Sequence, residues 1–143
     1  MISKRLFIQE VVTRDGFQAE SQFVPTAEKI RLINRLSKAG YAKIEVTSFT
    51  SPKAIPMLAD AEQVMQGIER RPGVEYTALI PNLKGAHRAA EVRVDEFNLV
   101  MSASEAHNQA NLRMSRTDSA TALNTVIAFA NQAGIASNVS LST

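Results

Sequence analysis

The chain contains no cysteine. Neither a disulfide framework nor a thiolate zinc site is therefore open to it, and a reducing compartment suits it. No apolar run approaches the roughly 20 residues that span a bilayer, so no membrane partner is expected. Met1 lies only a few residues ahead of the first apolar run, which leaves no room for a leader, and the expected location is cytoplasmic. Charge of one sign is also scarce: 16 basic residues against 14 acidic leave a net charge of +2. The basic residues (among them Lys4-Arg5, Lys29, Arg31, Lys43, Arg70-Arg71, Arg88, Arg93, Arg113, Arg116) form no stripe that could track a phosphate backbone, so nucleic acid is not an expected partner. No linker or low-complexity tract divides the 143 residues, which is the length of one domain. No Gly-x-Gly-x-x-Gly follows the first apolar run, which argues against dinucleotide binding.

What is present is an alternation of strand-like and helix-like segments. Leu6 to Val12 reads as a first strand, and Pro25-Thr26 opens a helix whose Ile30, Ile33 and Leu36 recur at helical spacing before Gly40 stops it. Ala42 to Thr47 reads as a second strand. Asp60 with Gln63 resembles a capping box for a second helix with Val64, Met65 and Ile68 on its apolar face, closed by Pro72-Gly73. Val74 to Ile80 is a third strand, and Asn82 is placed to cap a third helix carrying Ala86, Ala89 and Ala90. Phe97 to Met101 is a fourth strand. A polar loop follows, then a fourth helix marked by Leu123, Val126, Ile127 and Ala130 and ended by Gly134, then a fifth strand from Ile135 to Leu141.

This rhythm predicts an α/β fold with a parallel sheet and helices outside it. Polar groups choose between the two architectures available. Arg14-Asp15, Glu45 with Thr47 and Ser48, Asn82, and Ser102 with Ser104 and Glu105 all fall at or just past the C-terminal ends of successive strands. Delivery of polar groups from every strand to one rim is the (β/α)8-barrel pattern, whereas an open doubly wound sheet gathers them at one switch point. A closed barrel takes about 250 residues. Residues 1–143 are therefore expected to be a single incomplete domain: the N-terminal part of a (β/α)8 TIM barrel, about five strands and four helices. The other option is a half-barrel that completes itself by self-association.

Thr13-Arg14-Asp15-Gly16-Phe17-Gln18 carries the strongest chemical signal. An arginine and an aspartate side by side at the mouth of a buried strand are hard to justify as packing. Aspartate offers a hard oxygen for a divalent cation, arginine a fixed cationic fork for an oxyanion. Glycine lets the backbone turn sharply behind them.

Four runs resemble the hydroxymethylglutaryl-CoA lyase family, within the metal-dependent TIM-barrel lyases and synthases. They are Glu10 to Glu20, Ile44 to Lys53, Pro81-Asn82-Leu83-Lys84-Gly85 and Ser102-Ala103-Ser104-Glu105. The Arg-Asp-Gly turn is shared with the synthases of that superfamily, whereas the Ser-Phe-x-Ser-Pro-Lys and Pro-Asn-Leu-Lys-Gly runs belong to the lyase branch. The resemblance implies a retro-Claisen cleavage of a 3-hydroxy-3-methylglutaryl-CoA-like substrate to acetyl-CoA and acetoacetate, with Mg2+ or Mn2+ as cofactor; a homo-oligomer is the expected assembly. It implies that Asp15 is a metal ligand, that Arg14 stabilises the enolate, and that Glu45 supports catalysis near the metal. The family's His-x-His pair and catalytic cysteine have no counterpart here, and one carboxylate leaves most of a six-oxygen shell unsupplied. The polypeptide alone is expected to be inactive.

Plainer readings stand beside these. Asp15 could cap a turn and Arg14 pair with Glu45 as a buried ion pair. Gln18 is a candidate for contact with substrate or metal-bound water, and equally an ordinary polar loop residue. His107, expected on the loop after strand four, is a candidate contact for substrate or a CoA phosphate. His87, on an alanine-rich helix, is expected at the surface. Asn108 to Arg116 reads as a polar helix start. A Claisen-type acyl-CoA synthase and a non-catalytic, self-associating half-barrel are the alternative functions.

Overall fold

A computed structural model describes residues 6–142; Met1, Lys4 and Arg5 of the basic and N-terminal readings, and Thr143, lie outside the described residues. Five strands, β1 (Gln9–Glu10), β2 (Lys43–Ser48), β3 (Glu75–Leu79), β4 (Glu96–Ser102) and β5 (Ala136–Ser142), form one sheet. Their spatial order is their sequence order, and every neighbouring pair is parallel. A doubly wound sheet must reverse that order somewhere; this one never does. With right-handed crossovers throughout, all helices fall on one face. That is the arrangement of part of a (β/α)8 barrel, as the rim pattern predicts.

Five helices flank the strands: α1 (Thr26–Leu36), α2 (Ala61–Gly67), α3 (Leu83–Glu91), α4 (Glu105–Leu112) and α5 (Arg116–Ala133). The core lies between sheet and helices. Ile44, Val46, Tyr76, Ala78, Phe97 and Leu99 point outward from the strands onto Ile33, Val64, Ala86, Ala89, Val126 and Ala130. Alternation along each strand then sends Glu45, Thr77, Asn98, Lys43 and Glu96 to the opposite, interior face.

Three sequence readings ahead of β3 need correction. The first strand is only Gln9–Glu10, because the chain leaves the sheet at Val11 for an irregular helical turn. Asp60 does not cap α2 with its side chain. Its carboxylate is taken instead by Lys29 Nζ at 2.6 Å and Thr26 Oγ1 at 2.7 Å, in a buried ion pair whose ammonium also meets the Met57 carbonyl at 2.6 Å and the Phe23 ring at 4.2 Å. A buried ammonium without a counter-charge is far costlier than an uncapped amide, so it takes the carboxylate. That helix also ends at Gly67, ahead of Pro72-Gly73.

The polar stretch after β4 forms the additional helix α4, capped by Ser104, whose side chain accepts from the His107 amide. Asn82 caps α3 as expected, accepting from the Gly85 amide at 3.0 Å. Gly85 is required there for space: a Cβ would lie 2.9 Å from the Phe49 carbonyl oxygen. The absence of a side chain lets the start of α3 press against the end of β2.

Candidate active site at the C-terminal rim of the sheet

Glu10 ends β1 by folding back on its own chain. Its Oε1 accepts from the amides of Val11 and Val12, both at 2.8 Å. The chain then makes a single wide turn of π-helix, Val12–Gly16, a feature often found at functional sites. Gly16 serves this turn through its size, since a Cβ would meet Val12 Cγ2 at 2.9 Å.

The turn is stitched to β2 at one residue. Buried Thr13 donates its hydroxyl to the Glu45 carbonyl at 2.9 Å, and Arg14 Nε donates to Glu45 Oε1. Glu45 Oε2 accepts from Asn98 Nδ2 at 2.5 Å, and the same amide nitrogen reaches Thr77 Oγ1 at 3.1 Å. Glu45 is 5% exposed. Burying this carboxylate is tolerable because both oxygens are hydrogen-bonded and one partner is cationic. The pairing of Arg14 with Glu45 thus forms as the plainer sequence reading has it, and it also fixes the guanidinium at the rim. Arg14 Nη1 donates to Asp15 Oδ1 at 2.8 Å, while Nη2 donates to no protein group among the described residues. A register shift between β2 and β3 falls at Glu45 and Thr47, the kind of irregularity that re-aims side chains beside active sites.

Two buried polar atoms on these strands, Thr47 Oγ1 and Asn98 Oδ1, have no hydrogen-bond partner among the described residues. An apolar cleft of about 480 Å3 opens past the C-terminal ends of β3 and β4 and against α5, lined among others by Leu79, Pro81, Val100, Leu112, Met114 and Leu123. Leu79 and Val100 lie two residues beyond Thr77 and Asn98 on the same strands, so the cleft begins one step above the Glu45 layer. A larger hollow of about 630 Å3 at the other end of the sheet is lined by charges, and four of them, Lys43 with Glu96 and Arg70 with Asp95, already pair with one another.

The remaining sequence candidates are placed differently. Asp15 is largely exposed, with Oδ1 taken by Arg14. Among the described residues no three His, Asp or Glu groups converge on a possible metal position, so these residues alone do not form a divalent-cation site. Gln18 is exposed and its side chain makes no hydrogen bond among the described residues. His107 sits on α4, on a helix where a loop was expected. Asn111 Nδ2 lies 2.5 Å from its Nε2 and Ser102 Oγ 3.0 Å from its Nδ1. An amide donor at Nε2 assigns the proton to Nδ1, which then donates to Ser102, whose hydroxyl donates to the Ser142 carbonyl at 3.2 Å. His107 therefore ties α4 to the end of β4, and it shares no partner with Arg14 or Glu45. His87 is exposed as expected and packs on Phe129, ring centroids 4.3 Å apart.

Sequence reasoning does not single out Asn98 or Thr77. The available signal was a polar residue inside an otherwise apolar strand, repeated on neighbouring strands.

Sequential parallel strands with a fixed cation and polar groups at their C-terminal rim define a chain of the (β/α)8-barrel class. It belongs to the HMGL-like family, whose model matches residues 5–143. It is 44% identical over 140 residues to a hydroxymethylglutaryl-CoA lyase of Bacillus subtilis, covering 98% of this chain and 47% of that protein; the solved structure of a B. subtilis HMG-CoA lyase superposes with a TM-score of 0.95. It is 48% identical over 118 residues to a 3-hydroxy-3-isohexenylglutaryl-CoA/hydroxymethylglutaryl-CoA lyase of Pseudomonas aeruginosa, covering 82% and 39%. An HMG-CoA lyase from Acinetobacter baumannii, in complex with coenzyme A and 3-methylmalate, is 48% identical with a TM-score of 0.90, over 95% of this chain and 44% of that one. The chain thus spans less than half the length of the relatives it matches.

Proposed function

We propose that the chain supplies one wall of a carbon–carbon lyase that cleaves 3-hydroxy-3-methylglutaryl-CoA, or a related 3-hydroxyacyl-CoA, to acetyl-CoA and a 3-oxo acid such as acetoacetate. The carrying observation is the Arg14 guanidinium, locked by buried Glu45 at the C-terminal rim with one nitrogen unspent. Breaking this bond requires loss of the tertiary hydroxyl proton and a sink for the thioester enolate. A fixed guanidinium facing the enolate oxygen stabilises charge that exists only in the transition state, an effect of about 10²–10³ in rate per donor. Glu45 acts through Arg14: with both carboxylate oxygens engaged, it holds the cation rather than moving a proton.

The apolar cleft past the C-terminal ends of β3 and β4 is sized for an acyl or pantetheine arm, since ligand clefts run about 300–1,000 Å3. Asp15 is proposed as one ligand of a divalent cation, Mg2+ or Mn2+, and Gln18 as a contact to substrate. The rest of that cation's shell must come from groups other than the described residues, and the roles of Arg14 and Glu45 do not depend on it. We place the protein in the cytoplasm; no helix among the described residues is long and apolar enough to cross a membrane.

A second reading has its own observation. Leu6 and Ile8 beside β1, and Val139 and Leu141 on β5, leave apolar surface at both ends of the sheet. Such surface favours a homo-oligomer or a paired half-barrel. Light scattering on the purified chain checks it, and a stable monomer at high concentration rejects it.

The lyase reading is tested by mixing the polypeptide with the portion of the B. subtilis relative that it does not match, adding 3-hydroxy-3-methylglutaryl-CoA and Mg2+, and following acetoacetate. The expected result is release from the mixture and none from the chain alone. A mixture that assembles and stays inert overturns the reading. Release by the chain alone refutes the expectation that it is inactive.

A further inference from the structure

We propose that Asn98 is the positioning residue of this site: it fixes the Glu45 carboxylate so that Glu45 can aim Arg14. Its catalytic consequence rests on the reading of Arg14 as the enolate-facing cation.

Asn98 stands on β4, Glu45 on β2, and Thr77 on β3 between them. The Asn98 and Glu45 side chains meet across the intervening strand. Its Nδ2 donates to Glu45 Oε2 at 2.5 Å and to Thr77 Oγ1 at 3.1 Å. This settles which way the amide faces, because the flipped form would set Oδ1 against a carboxylate oxygen. Oδ1 is consequently buried without a partner among the described residues. A residue chosen for packing would not leave that atom orphaned, since an apolar side chain would fill the interior of β4 with no such penalty. The arrangement makes sense if the amide is kept for its donor.

The donor's effect passes directly to Arg14. Glu45 has one oxygen on Asn98 and the other on Arg14 Nε, so its carboxylate plane is pinned from both sides. Without Asn98, Oε2 is a buried acceptor with nothing to hold it, and the carboxylate is free to rotate. Arg14 Nε then follows a moving partner, and the unspent Nη2 no longer has one direction.

The guanidinium reports this without substrate or assembly. In the 15N-labelled chain, NMR measures solvent exchange of the Arg14 Nε–Hε proton. Arg88 Nε, which donates to Glu62 Oε1 at 2.5 Å on the helical side of the molecule, is the internal control. In Asn98→Val and Asn98→Ser, Arg14 Hε should exchange about tenfold faster, the loss expected for a weakened charge-assisted bond, while Arg88 Hε stays within about twofold. Thr77→Val, nearly isosteric, should give a smaller rise of about two- to threefold from loosening the amide's other contact. It decides the matter if the Asn98 variants do not fold. Unchanged Arg14 exchange in a folded variant overturns the proposal. So does a parallel rise at Arg14 and Arg88, which would make Asn98 a contributor to global stability only. An inert reconstituted mixture would reject the lyase reading and leave this result standing; unchanged Arg14 exchange would reject Asn98 alone.

Discussion

Two layers of side chains on the interior face of the same three strands differ in how they use charge. Lys43, Glu75 and Glu96 form the lower one, with Lys43 Nζ at 2.9 Å from Glu75 and 2.6 Å from Glu96. Glu45, Thr77 and Asn98 form the upper one, two residues further along each strand. The lower layer finds its cation within itself. The upper layer has a carboxylate and two neutral groups, and its cation comes from outside the sheet, on the turn after β1. One consequence is that the lower layer holds its ammonium between two carboxylates. The upper one ends in an arginine with a nitrogen to spare and has an orphaned amide oxygen within it. The first arrangement suits stability and the second the ligand role proposed for Arg14, in line with the division between the bottom and top faces of such barrels.

The sharpest way to break this contrast is to remove the unspent charge. Arg14→Gln in the reconstituted lyase should lower kcat by about 10²–10³, or about 2.7–4 kcal/mol, with little change in KM. A rise in KM at constant kcat would instead make Arg14 a ground-state binding group. Next in size is Glu45→Ala, which frees Arg14 from its only buried partner and leaves the Asn98 amide without its charged acceptor. We expect a stability loss of about 2 kcal/mol by urea denaturation. A loss larger than that of any lower-layer variant, combined with faster Arg14 Hε exchange, fits a cation held by this carboxylate; no loss would mean that Arg14 is placed by the backbone of the π-helical turn alone.

Sequence patterns carry the fold further than they carry the site. Parallel strands, the rim residues and the Asn82 cap are legible because each depends on local chemistry or on periodicity. Helix α4 is not, because its buried anchor is polar. Asn108 is fully buried, its Oδ1 accepting from the Ser102 amide at 2.9 Å and its Nδ2 reaching Met114 O, Ser115 O and Ser119 Oγ. A helix held by an asparagine has no apolar stripe to detect. The same limit applies to Asp60, which looks like a cap until Lys29, 31 positions away, takes its carboxylate. Arg14 and Asp15 are visible as adjacent letters, but Asn98 acquires its meaning only when β4 is set two strands from β2.

The lower layer gives smaller effects. Lys43→Met places Glu75 and Glu96 beside each other without their cation. Lys43 is about a third exposed, so solvent screens much of the repulsion, and we expect a loss of about 1 kcal/mol with Arg14 Hε exchange unchanged. If Arg14 responded as strongly as it does to changes at Asn98, the two layers would be one network and the contrast would fail.

The least effect, and the most direct reading of the lower layer, is its dependence on pH. Burial on its own would lower the Lys43 pKa, but the hydrogen bonds and charges of Glu96 and Glu75 outweigh it, and the group titrates above its ordinary 10.5. A raised folded-state pKa means that the folded chain holds this proton more tightly than the unfolded one. The resulting stabilisation is complete below about pH 10.5 and is lost as pH rises through the folded pKa. For a partly exposed group the amount is on the surface-pair scale, about 0.2–1 kcal/mol. Other groups titrate in the same alkaline range, so the informative quantity is a difference. Urea midpoints of the native chain and Lys43→Met, measured from about pH 8 to about pH 12 so as to bracket the ordinary lysine value, should converge as the native chain loses this proton. A gap that stays constant to the alkaline limit would show that Lys43 contributes through its methylenes and not through its charge.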